Sequence, residues 1–185
     1  MPTPIGHSLF ALSAVMIRKG QPLEKRDLGL IVVSMTLANL PDIDFTPMLV
    51  YGFRAVSMFH QAYTHNLGFC LIGSIVSALI AAKLMHKRFF ELFPFFFILV
   101  FSHIILDAMG NDTNPPCGVQ LLWPLVDRHF MLPFPVFIGI AKSSARELFS
   151  LWNLMAVGLE CVIFLPILGL VSFLNYKRWS ALSRR

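Results

Sequence analysis

An imidazole and a carboxylate four residues apart, His103 and Asp107 in SHIILDAMG, lie inside an otherwise apolar segment. On a helix, positions i and i+4 share a face with Cβ atoms about 5–6 Å apart, a spacing from which both side chains reach one metal ion. An ionisable pair is costly in such a segment, so it either holds a cation or neutralises itself through a His–Asp hydrogen bond. NLPDIDF carries two more acids, Asp42 and Asp44. Pro41 disfavours a helical residue before it, which predicts a turn in which both can point the same way. Two carboxylates so close repel unless a cation lies between them, or else they form an acidic loop facing water. FHQAYTHNLG adds His60 and His65. They are five apart and so off a common helical face, and Thr64 is the expected N-cap of a helix starting at His65. His7, early in the first apolar segment, reads by itself as a core histidine, and only convergence with the others makes it a ligand.

Five apolar segments must position these groups: Pro4 to Ile17, Leu28 to Pro41, Asn66 to Ala82, Leu92 to Met109 and Leu148 to Tyr176. The 185 residues are 56% hydrophobic and 14% charged, with 18 Phe against 3 Tyr. Soluble domains carry about 25% charged residues, so a free cytosolic enzyme is not expected. Strand alternation is not seen. The expectation is one all-α domain over residues 1–185, a polytopic membrane bundle of about five spans. A bilayer core needs ~20 helical residues, and the first two spans are short. The opening MPTPIGHSLF lacks the basic region of a signal peptide, so the first segment is expected to be retained.

Charge sets the expected orientation. Lys and Arg favour short cytoplasmic loops. With the N-terminus outside and the C-terminus inside, Arg54, Arg128, Lys142 and Arg146 are the external ones among 15 basic residues. The ligand candidates then fall on or near the outer face: His103 lies six residues before the end of its span, or about 9 Å at ~1.5 Å per residue. Glu160 would lie at similar depth, as a partner for a ligating histidine or a buried acid paired with a neighbour. His86, among Lys83, Lys87 and Arg88, reads as solvated, and His129 as a spare ligand in the long outer loop. The 3 cysteines form no metal or disulfide pattern. Net charge is +5, but its placement in cytoplasmic loops gives no reason to expect nucleic acid.

Taken in order, GHS near the start, LPDID, HxxxTH, HxxxD and GxxLLWP (Gly118 to Pro124) resemble the YdjM-type family of membrane-bound metal-dependent hydrolases. The motifs span residues 4–124; residues 125–185 supply the outer loop, the last span and a basic tail. Where that family reads HRGxTHS, this chain has HQAYTHN, with Gln61 and Asn66 in place of Arg and Ser. A more distant likeness is to zinc-dependent phospholipase C. It implies Asp107 bridging two metals, His7 on one of them, and Asp42 or Asp44 with His60 or His65 on the other.

The expected function is therefore a multi-pass hydrolase of the bacterial inner membrane. One or two divalent ions would be held by His7, Asp42, Asp44, His60, His65, His103 and Asp107. Mixed imidazole and carboxylate ligands suit zinc, with manganese or iron as alternatives. Metal-activated water would attack an ester or phosphoester, with a lipid as substrate and one of Asp42 and Asp44 as general base. The alternative is a non-enzymatic membrane protein with a structural metal site or a metal or proton transport role.

Overall fold

The computed structural model describes residues 1–53, 63–112 and 117–183. The described residues are helical apart from loops and isolated bridges, with five principal helices: α1 (Pro4–Lys19), α2 (Leu28–Ala38), α3 (Leu67–Met85), α4 (Phe89–Ala108) and α5 (Leu151–Leu182). A 3-10 segment, Leu40–Phe45, and a single turn, Met48–Tyr51, continue from α2. The segments Leu67–Met85, Phe89–Ala108 and Ala145–Leu182 are long and apolar enough to cross a membrane. The pair Lys25–Ala38 and Leu40–Tyr51, bent by 60°, has the composition of a further, broken span. At 16 residues, α1 rises about 24 Å, short of the hydrocarbon thickness.

The break after α2 follows from Pro41, which lacks an N–H and restricts the residue before it. Thr3 caps α1, its hydroxyl accepting from Ile5 N, and Gly20 closes the helix in the left-handed region at φ 61°. Asn66 caps α3, its side-chain oxygen accepting from Phe69 N at 2.8 Å. The expected N-cap, Thr64, lies two residues too early and its hydroxyl goes elsewhere, as described below.

α1 packs against α2, α4 and α5, and α4 packs against α1, α2 and α3. The core joins Ala11, Leu37, Ala38, Cys70, Phe96, Leu99, Val100 and Ile104. A ladder of Phe89, Phe93, Phe97 and Phe101 climbs α4 with ring centroids 5.3, 6.1 and 5.4 Å apart. The outward faces are apolar as well: Val32, Ile72, Leu79 and Val162 are exposed, as a lipid-facing surface requires.

The two ends of the bundle differ chemically. At one, Arg18 donates to the Glu91 carbonyl at 3.0 Å, Asn175 Nδ2 donates to the Met16 carbonyl at 2.8 Å, and Lys19 pairs with Asp27. At the other end the loop after α4 folds back over that helix. Leu132 N and Val136 N donate to the Ala108 and Met109 carbonyls, and Leu67 N donates to the Leu121 carbonyl. The loop thus satisfies carbonyls that the end of α4 leaves open and covers the end where the histidines lie.

Candidate metal centre

His103 and Asp107, one turn apart on α4, are 0% and 2% exposed. His103 Nδ1 lies 2.7 Å from the Ala38 carbonyl at the end of α2. A carbonyl only accepts, so Nδ1 carries the hydrogen and Nε2 turns to the interior as the free ligating nitrogen. There it meets His65 Nε2 at 3.2 Å, Asp42 Oδ1 at 3.4 Å and Asp107 Oδ2 at 3.6 Å. His65 Nε2 is in turn 3.3 Å from Asp107 Oδ2 and 3.8 Å from Asp42 Oδ1.

His7 comes from the first turns of α1. Its ring stacks on that of His103, with centroids 3.8 Å apart and planes 15° from parallel, and its Nε2 lies 3.3 Å from Asp107 Oδ1. The two oxygens of Asp107 thus face different histidines: Oδ1 toward His7, Oδ2 toward His65 and His103. Two overlapping groups of ligand atoms result, His7, His103 and Asp107 in one and Asp42, His65 and His103 in the other.

Asp44 stands behind His65, on the side away from this centre. Its Oδ2 lies 3.2 Å from His65 Nδ1 and accepts from the Thr64 hydroxyl at 2.8 Å. The expectation that Asp42 and Asp44 point the same way fails for a geometric reason. At three residues per turn, side chains two apart in a 3-10 segment diverge by about 120°. Asp42 faces the centre, and Asp44 fixes the ring of His65 from outside it, an arrangement common behind ligating histidines. His60 lies outside the described residues. His129 and His86 belong to neither group of ligand atoms.

The donors fit a divalent cation. His7 and His65 are, like His103, fully buried, and both nitrogens of His7 and both oxygens of Asp107 lack a hydrogen-bond partner among the described residues. Buried polar atoms are seldom left so. A four-coordinate ion with bonds of ~2.0–2.2 Å needs ligand atoms about 3.3–3.6 Å apart, close to the spacings found here. These buried His and Asp groups could hold a metal ion.

Other contacts around the centre had no periodic signal in the sequence. Glu160 Oε1 and Oε2 accept from Thr3 N and the Thr3 hydroxyl, both at 2.5 Å. The acid therefore pins the start of α1, three residues before His7 is reached from Pro4, and does not touch the imidazole itself. Lys142, in the loop over the site, is half-buried. Burial lowers its ammonium below the ordinary lysine range, while the carboxylates of Asp107, Asp112, Asp42 and Asp44 pull the other way. Its solitary place between Lys87 and Lys177 is the only hint the sequence holds.

A crevice of about 500 Å³ between α1 and the end of α2 reaches Asp42, with Ser8, Met35, Asn39 and Ile43 on its walls. The family described as YdjM inner membrane protein matches residues 1–179. No curated protein and no solved structure matches.

Proposed function

The chain belongs to the YdjM inner membrane protein family, and from that premise we propose that it is a metal-dependent hydrolase acting on an ester or phosphoester at the outer face of a bacterial inner membrane. The observation that carries this reading is the set of buried, facing donor atoms on His7, His65, His103 and Asp107, with Asp42 completing it at the crevice. A divalent cation bound there, zinc by the mixture of imidazole and carboxylate, supplies Lewis acidity that brings the pKa of a water toward ~7.

The protein residues divide the remaining work. Ala38 and Asp44 fix the rings of His103 and His65 so that each presents Nε2. Asp107 offers one oxygen to each group of histidines, which suits two ions as well as one. Asp42 is the carboxylate that meets the crevice, and it is assigned to take the proton of the attacking water. The apolar walls of the crevice, Met35 and Ile43, suit a substrate whose ester sits near an acyl chain.

The test is purified protein with its metal content measured, wild type against Asp107→Ala and His103→Ala, on a panel of phospholipids and generic esters. The wild type should hold one or two ions per chain and hydrolyse a member of the panel, and both variants should lose metal and activity together. Stoichiometric metal with no activity across the panel would favour the structural or transport reading instead.

A further inference from the structure

Beyond the metal centre, a second cavity of about 340 Å³ opens in the loop over the same end of the bundle. Its walls carry Lys142, Ser143, Glu147, Asp112 and Trp152. Met1 also lines the cavity, Lys142 is its side-chain cation, and the close partners of Lys142 are soft. Its ammonium donates to Met1 Sδ at 3.2 Å and lies 5.9 Å from the centroid of the Phe45 ring. Among the described residues no carboxylate forms an ion pair with it. Its close contacts, a thioether and a phenyl ring, are weak acceptors that leave N–H donors of a half-buried ammonium unused, and an anion in the cavity would take them up beyond the longer-range pull of the carboxylates. Glu147 and Asp112 supply the opposite charge. One Glu147 oxygen accepts from Ser143 N at 2.9 Å, and the other makes no hydrogen bond among the described residues. Two neighbouring donors are already used: Trp152 Nε1 donates to the Gly139 carbonyl and Ala141 N to Asn153 Oδ1.

The cavity shares Ile140 with an apolar groove of about 650 Å³, which runs between the start of α1 and the first turns of α5. Phe149, Leu151 and Leu154, which line it, are 91%, 71% and 65% exposed. Small-ligand sites span roughly 300–1,000 Å³, so the polar cavity matches a head group and the groove an acyl chain. We propose that the two together bind a zwitterionic aminophospholipid, its phosphate on Lys142, its ammonium on Glu147 and an acyl chain along the groove. Lys142 reads the phosphate, and Glu147 disfavours a head group that carries negative charge alone. The hydrolase reading bears on what becomes of such a lipid. Its binding stands on the cavity and the groove.

The test uses the full chain released from the membrane in detergent, with bound lipid counted by native mass spectrometry. The probes are dilauroyl phosphatidylethanolamine, dilauroyl phosphatidylglycerol, dilauroylglycerol and inorganic phosphate. One phosphatidylethanolamine per chain should be retained in preference to the other three. Lys142→Met should weaken its retention at least tenfold, Lys142→Arg should restore it, and Glu147→Gln should erase the preference over phosphatidylglycerol. Metal content, measured on the same samples, should be unchanged in all three variants. Asp107→Ala should keep the lipid even if it loses metal, which separates this site from the centre. Undiminished lipid retention in Lys142→Met would overturn the proposal, as would inorganic phosphate binding as tightly as the lipid.

Discussion

Replacing Gly6 by alanine tests how α1 carries His7 to the centre. A methyl group at Gly6 would sit 2.9 Å from both the Cδ and Oε2 atoms of Glu160, closer than such contacts allow. A free carboxylate would swing aside at little cost. This one is held by Thr3 N and the Thr3 hydroxyl, in a side chain 1% exposed. Hydrogen bonds to charged groups contribute about 1.5–3 kcal/mol each, and alanine returns up to about 1 kcal/mol of helix propensity. Losing one or both bonds leaves a net destabilisation of roughly 1–5 kcal/mol, or about 2–20 °C in Tm at roughly 2–4 °C per kcal/mol. His7 adjoins Gly6, so metal affinity should fall as well, by about 10–100-fold if the loss resembles that of other supporting contacts. The assay is a double-mutant cycle on detergent-solubilised protein, with thermal unfolding and metal titration for wild type, Gly6→Ala, Glu160→Ala and the double variant. With the Glu160 side chain gone the methyl has room, so in that background Gly6→Ala should be neutral or stabilising by up to about 1 kcal/mol. Equal destabilisation by Gly6→Ala with and without the Glu160 side chain would refute the reasoning.

Asp44→Asn should lower metal affinity by about 10–100-fold without changing the number of ions bound, as loss of a carboxylate behind a ligating histidine does; isothermal titration on wild type and variant measures it. Asn175→Ala should lower stability by about 1–2 kcal/mol, since it removes donors to the Met16 and Gln21 carbonyls, and should leave the metal content of purified protein unchanged. Reporter fusions at Lys87 and at the C-terminus should both indicate the cytoplasm, and an external signal from either would reverse the orientation inferred from the basic loops.

The local features of the centre follow from the sequence because they depend on short-range geometry. The i, i+4 spacing puts His103 and Asp107 on one face of any helix that contains them, and Pro41 must break the segment before Asp42. The apolar runs had to be helices, since a bilayer leaves a spanning backbone to satisfy its own hydrogen bonds. Tertiary structure decided the rest. Whether Asp42 or Asp44 faces the centre depends on the 3-10 path after Pro41, where side chains two residues apart turn away from one another. That Asn66 and not Thr64 caps α3 depends on Asp44, which draws the Thr64 hydroxyl across 20 positions of chain. The pairing of Glu160 with Thr3 closes a separation of 157 residues. The carbonyl that orients His103 belongs to Ala38, whose side chain carries no chemical signal at all. Composition and periodicity record what a residue needs from its surroundings, burial or hydration, and the identity of its distant partner is set only when the helices pack.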